Sequence, residues 1–275
     1  MTGRGRTRKC VGGAGTHIRA GERFFDTWSP QMAWCLGVVY ECGAADPEEG
    51  LVIESSDRRL LGAFRKLVRE SKLLRDTRTL VAESPHMGER LCSLGMVKGA
   101  FTVRRVPLVP EEYVRYLVQG ILDTHAEVAS YDPYLAELRL ELATRQRACL
   151  SFLERELRKR GYGVSRGPVE IDFHGVARGE PASYVYSLSM CRPREIADFY
   201  NWLFGKPRAD LPYDGAQRWM WSQLRLLLRD IDALSELVKD KEMMAELRRI
   251  AHAGEREGLA DGWLGRGHRG WYHLC

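Results

Sequence analysis

Residues 35–43 (C-L-G-V-V-Y-E-C-G) and 118–126 (V-Q-G-I-L-D-T-H-A) are two apolar stretches with a glycine at the same place, the third, in each. Both lie in runs of helical spacing, through Met32, Ala33, Leu36, Val39 and Tyr40 in the first and Tyr113, Leu117, Gly120 and Ile121 in the second. A glycine on the contact face of an apolar helix removes the side chain that holds a neighbour away. Two such helices can pack backbone to backbone and bring their C-terminal ends together. Gly37 and Gly120 are therefore the expected packing positions, and the residues at the two ends are expected to be neighbours.

What surrounds the two stretches also recurs. Ser29 before Pro30 is a side-chain cap followed by a residue preset for the first helical turn, and that helix should end near Gly43. A strand over 51–55 leads to Ser56 as the cap of a helix carrying Leu60, Leu61, Phe64, Leu67 and Val68. Residues 79–83 read as a strand, and Ser84-Pro85 opens a helix that runs to Gly95. In the second half Pro110 starts a helix with Glu111 and Glu112 in its favourable first turn. Leu138, Leu140 and Leu142 then alternate with Glu137, Arg139 and Glu141, the period of a half-buried strand. A helix through Leu150, Leu153 and Leu157 to Gly161, strands over 169–173 and 184–190, and a helix from Pro193 through Leu203 follow. Each half reads helix, strands, helix, strands, helix, which is an internal duplication. A helical pattern continues from Gln217 to His252, the tail from Gly254 has no period, and Trp202, Trp219 and Trp221 read as core or as docking for the C-terminal helices.

With 275 residues, 44% of them hydrophobic, the chain can build one large domain or two fused halves. No run approaches a membrane span, and the Arg-rich start lacks the apolar stretch of a signal peptide, so a cytoplasmic protein is expected. The seven cysteines are odd in number and scattered without a C-x-x-C pair, which indicates reduced thiols rather than a disulfide framework or zinc knuckle. The net charge of +5 is local: Arg4, Arg6, Arg8, Lys9 and Arg19 precede any acid, and setting those five aside from 42 basic residues leaves 37 against 37 acids. His86, His174, His252, His268 and His273 show no metal-ligand spacing.

These features together resemble the single-chain, two-motif LAGLIDADG homing endonucleases. The lead-in Phe24-Phe25-Asp26-Thr27-Trp28-Ser29-Pro30-Gln31-Met32-Ala33 is similar to that of many members. So are the link from Leu91-Cys92-Ser93-Leu94-Gly95 to Pro110-Glu111-Glu112-Tyr113-Val114-Arg115 and the stretch 184–203, so that the likeness covers roughly residues 24–224. It implies an α+β fold of two pseudo-symmetric repeats (αββαββα each) with saddle-shaped antiparallel sheets. The expected parts are a basic, disordered arm over 1–21, repeats over 22–106 and 107–213, and a C-terminal helical extension over 214–275. A monomer with an internal pseudo-two-fold axis is implied, with double-stranded DNA as the partner.

Members of the family carry one metal-binding acid at the end of each motif helix, where divalent cations held by hard oxygen ligands hydrolyse DNA. Here those positions hold Cys42 and His125, and a thiol and an imidazole serve magnesium poorly. Glu41 and Asp123 are the nearest substitute acids, but Glu41 lies about 100° off the expected direction for a one-residue step. Cys42 and His125 together would suit zinc, yet zinc normally takes more than two protein ligands. No cofactor is expected, and Mg2+ only if cleavage survives. Arg75, Arg78, Arg104, Arg105 and Arg139 are the candidates for DNA contact, opposed on the second-half strands by Glu137, Glu141, Glu170 and Asp172. The expectation is a homing-endonuclease-like protein that has lost cleavage and retains at most DNA binding. The alternatives are an active endonuclease recruiting Glu41 or Asp123, and a protein-interaction scaffold.

Overall fold

The structure, a computed structural model, describes residues 20–69, 71–74, 78–124, 129–132, 137–172, 183–205, 210–233, 241–257 and 259. After a short 3-10 turn at Ala20–Arg23, the Ser29 hydroxyl accepts a hydrogen bond from the Met32 amide at 3.0 Å and starts helix α1, Pro30–Cys42. Strands β1 (Gly43–Asp46) and β2 (Gly50–Glu54) form a hairpin, followed by α2 (Arg58–Leu67), β3 (Lys72–Leu73), β4 (Thr79–Ala82) and α3 (Pro85–Ser93). The second half runs α4 (Glu111–Asp123), β5 (Ala129–Asp132), β6 (Glu137–Thr144), α5 (Arg147–Lys159), β7 (Ser165–Arg166), β8 (Glu170–Asp172), β9 (Ser183–Met190) and α6 (Pro193–Phe204). Helices α7 (Gly215–Ala233) and α8 (Lys241–Arg256) complete an α+β fold with two small antiparallel sheets.

Both sheets have the same strand order relative to the chain. The first is β1-β2-β4-β3 and the second β5-β6-β9-β7, with β8 also paired to β9. In each, a hairpin is followed by the last strand of its half. Side-chain alternation decides which face meets the helices. Leu51 and Ile53 pair with Ala82 and Leu80, and all four are buried, while Val52, Glu54, Thr79 and Val81 turn outward and are partly or fully exposed. Leu140 and Leu142 pair with Met190 and Leu188 in the core, and Arg139 and Glu141 face the other way.

The structure corrects one reading of the sequence and adds to others. The cap of α2 is Asp57 rather than Ser56: its carboxylate accepts from the amides of Arg59 (2.7 Å) and Leu60 (3.1 Å), a reach one residue earlier would miss. Strands β1, β3, β5 and β7 had no legible pattern, being two to four residues long. The helical run from Gln217 to His252 is divided into two helices, α7 and α8. Helix α7 is also part of the core, packing on α4, α6, β5 and β6, with Trp221 buried and its indole N–H donated to the Ala251 carbonyl at 3.1 Å. Among the described residues no helix is long and apolar enough to cross a membrane.

Helix α1 is buried along its whole length from Met32 to Glu41, and α4 is the helix it packs against most extensively. At their crossing the backbones touch. A Cβ on Gly37 would overlap the Leu117 carbonyl oxygen and lie 2.8 Å from the Ile121 nitrogen. A Cβ on Gly120 would overlap the Trp34 carbonyl oxygen and lie 3.1 Å from the Gly37 Cα. The relation is reciprocal, since each glycine meets the residue three places before the other.

The obstacles at both glycines are backbone atoms of a buried helix, which cannot swing away as a flexible side chain would. Gly37→Ala and Gly120→Ala should each destabilise the fold by about 1–3 kcal/mol through forced separation of the helices, overriding the gain in helix propensity. Urea denaturation should show the lowered midpoint with an unchanged slope.

Candidate functional site

The ends of α1 and α4 carry the titratable residues singled out above. Glu41 lies in the last turn of α1 and is 6% exposed. One of its carboxylate oxygens accepts from the Thr144 hydroxyl at 2.5 Å and the other from the Arg145 amide at 3.2 Å. Thr144 is the last residue of β6, so this acid ties α1 to the far sheet.

Asp123 ends α4 and is 5% exposed. Its oxygens accept from the Trp34 indole N–H at 2.8 Å and from the Ala216 amide at 2.7 Å. The second bond caps the first turn of α7, where an acceptor meets an otherwise orphaned N–H. Beside it, the Tyr213 hydroxyl donates to Asp57 at 2.6 Å, so the segment entering α7 also holds the cap of α2. Burial pushes the Asp123 carboxyl up to about 7; the bonds from Ala216, Trp34 and Gln119 oppose the shift, and the charge of Asp214 adds to it.

Cys42 is half-buried, and its thiol donates to the Val38 carbonyl at 3.1 Å. Burial, reinforced by the Glu41 charge and opposed by Arg145, pushes this thiol well above its ordinary range. The shift favours the neutral S–H form, which lowers the nucleophilicity of the thiol. Cys149, buried against Glu41 and Thr144, is raised in the same way, first by burial. His125 and Arg75 lie outside the described residues. Among the described residues no three His, Cys, Asp or Glu side chains come together as a metal cage.

The arginines named from the sequence fall in separate places. Arg78 is exposed at the start of β4, where its carbonyl accepts from the Ser55 amide. Arg104 and Arg105 are exposed on the link between the halves, held at the end of α3 by the Arg104 amide donating to the Gly95 carbonyl at 2.8 Å. Arg139 is exposed on the outward face of the second sheet. There Glu141 sits opposite Ser189, which in turn pairs with Ser165. The side chains of Glu137, Glu170 and Asp172 lie outside the described residues. The outward row of the first sheet is Ala44, Val52, Val81 and Lys72, apolar in three of its four positions.

Sequence reading did not find Trp34, Thr144, Asp57, Tyr213 or Ala216 as parts of this site. The bonds concerned span 89 to 156 residues, and no local pattern encodes them. The arrangement joins two carboxylates to five protein donors, Thr144 and Arg145 on Glu41 and Trp34, Ala216 and Gln119 on Asp123. Compared with known proteins, the chain matches no family model and no curated protein.

Asp123 gives the fold a pH dependence of defined sign. Between pH 4 and 7 the folded chain holds a proton on Asp123 that an unfolded aspartate has released, so stability falls as pH rises across that window. The limiting slope for one proton is about 1.4 kcal/mol per pH unit. Asp123→Asn keeps the acceptor for Ala216 and removes the titration. Urea midpoints measured from pH 4 to 8 should show this component of the slope in the parent and its loss in the variant.

Proposed function

We propose that the chain is a two-repeat protein of the LAGLIDADG homing-endonuclease type that has lost strand cleavage and keeps duplex DNA binding. The observation that carries this reading is the reciprocal crossing of α1 and α4 at Gly37 and Gly120, with the carboxylates at both helix ends already committed to protein donors. The recurrence of one element order and one strand order in the two halves supports the two repeats. On this reading the chain is a monomer with an internal pseudo-two-fold axis.

Loss of cleavage follows from coordination chemistry. A divalent cation at a scissile phosphate takes about six oxygens, and the protein's share must come from carboxylates free to turn toward it. Glu41 and Asp123 would each have to break at least two hydrogen bonds to do so, at a cost of about 1–3 kcal/mol for every donor left unsatisfied in the interior. Cys42 offers a neutral thiol instead. The alternative of an active enzyme recruiting either acid is the weaker reading for this reason, and the protein needs no cofactor.

DNA contact falls to the outward sheet faces and their rims. Arg139 with the serine pair Ser165 and Ser189 supplies donors on the second sheet, and Arg78, Arg104 and Arg105 supply charge elsewhere. A second reading, a scaffold for protein contacts, is favoured by the apolar outward row Ala44, Val52 and Val81 of the first sheet.

Selection from a random duplex library at two salt concentrations, with magnesium present, separates these readings. Salt-sensitive retention of duplexes without strand breaks is expected, with Arg139→Ala reducing the salt slope by about one counterion. Magnesium-dependent nicking that is lost in Glu41→Gln or Asp123→Asn would restore the enzyme reading. Absence of any retained duplex would leave the scaffold.

A further inference from the structure

The two sheets present different chemistry on their outward faces. On the first, register places Ala44 beside Val52, Val52 beside Val81 and Val81 beside Lys72, one row across all four strands. Neighbouring strands stand about 4.8 Å apart, so roughly 10 Å separates Ala44 from Val81. These three apolar side chains are partly exposed, whereas Leu51, Ile53, Leu80 and Ala82 on the opposite face are fully buried. The row consists of methyl groups and ends on Lys72, whose side chain is 77% exposed and lies 4.0 Å from Glu83. It holds no aromatic residue or methionine, the side chains that enrich protein–protein contacts.

Strands β2, β4 and β3 correspond in order to β6, β9 and β7 of the second sheet. On those three strands the second sheet is polar. Glu141 stands opposite Ser189 and Ser189 opposite Ser165, and the two serine hydroxyls share a hydrogen bond of 2.9 Å. Arg139 projects from the same face two residues away along β6 and is exposed.

In the major groove thymine alone carries an apolar group, its C5 methyl, while guanine offers two acceptors and cytosine an amino donor. A row of methyl-bearing side chains gains by covering thymine methyls. Against a G·C pair it would desolvate polar edges and give them no partner. Arg139 suits the guanine acceptors, and Glu141 suits the cytosine amino group.

We infer that the duplex target is non-palindromic, with thymine methyls under Ala44, Val52 and Val81 in one half-site and G·C pairs under Arg139 and Glu141 in the other. The inference rests on the DNA reading above and makes the apolar row part of the DNA surface. Two rows of unlike chemistry cannot read the same half-site twice, although the repeats that carry them share one strand order.

Selection of the full chain on a random duplex library supplies the site. Competition binding then compares it with duplexes carrying deoxyuridine for thymine, which removes the methyl and keeps the base pair. One half of the selected site should be thymine-rich. Deoxyuridine there should weaken binding about 4-fold for each contacted methyl, and in the other half it should change nothing. The chain carrying both Val52→Ser and Val81→Ser should bind the two duplexes alike while keeping the parent's salt dependence. The deoxyuridine comparison uses the unaltered chain, so it stands whether or not the double variant folds. A retained site without thymine enrichment, or equal affinity of the parent for both duplexes, would overturn the inference and return the row to a protein partner. A folded double variant that still tells the duplexes apart would overturn it too. All three results leave the DNA reading standing; if no duplex is retained, both fall.

Discussion

The contact on which the rest of the molecule depends is the one between two backbones, α1 and α4 meeting where Gly37 and Gly120 have no side chains. Each glycine costs a helix about 1 kcal/mol of propensity relative to alanine. That cost is offset only if the missing atoms let something pack more closely, and here main-chain atoms of each helix fill the space. The distance between the helices sets where everything at their ends falls. Glu41 reaches Thr144 and Arg145 of the other half, and Asp123 reaches Trp34 of α1, because no Cβ holds the helices apart.

Both end carboxylates then serve the fold. An interior carboxylate is tolerated when donors surround it, and Glu41 and Asp123 each have at least two protein donors aimed at them. Glu41 fastens the end of β6 to α1, while Asp123 caps α7 and draws the C-terminal helices into the core. The same oxygens cannot also coordinate a cation without abandoning those donors. The proposed loss of cleavage thus has two physical causes: a thiol at Cys42, and nearby acids that already have work in the structure.

The parts of the fold that could be read in the sequence are those with strong local chemistry. The Ser-Pro pairs at Ser29-Pro30 and Ser84-Pro85 start helices, with both serine hydroxyls accepting from the amide three residues on. The leucines of β6 face the core as their alternation requires. The strands that escaped, β1, β3, β5 and β7, hold too few side chains to show a period, and β3 and β7 exist only through the longer strand beside each. The cap of α2 was misplaced by one residue because Ser55, Ser56 and Asp57 are all acceptors, and only geometry decides which one meets the helix amides.

By itself, the sequence determined the helices, the repeated order of elements, the inward faces of the long strands, and the two glycines able to bring helices together. These depend on periodicity, caps and the size of a side chain, which act over a few residues. Only the tertiary structure decided what Glu41 and Asp123 are for, that Tyr213 holds the cap of α2, and that Ala44, Val52 and Val81 share one outward row. An acid beside a motif looks the same in a string of letters whether it faces a metal or a threonine hydroxyl. Its role is set by the donors that folding brings within 3 Å or so, from residues about a hundred positions away.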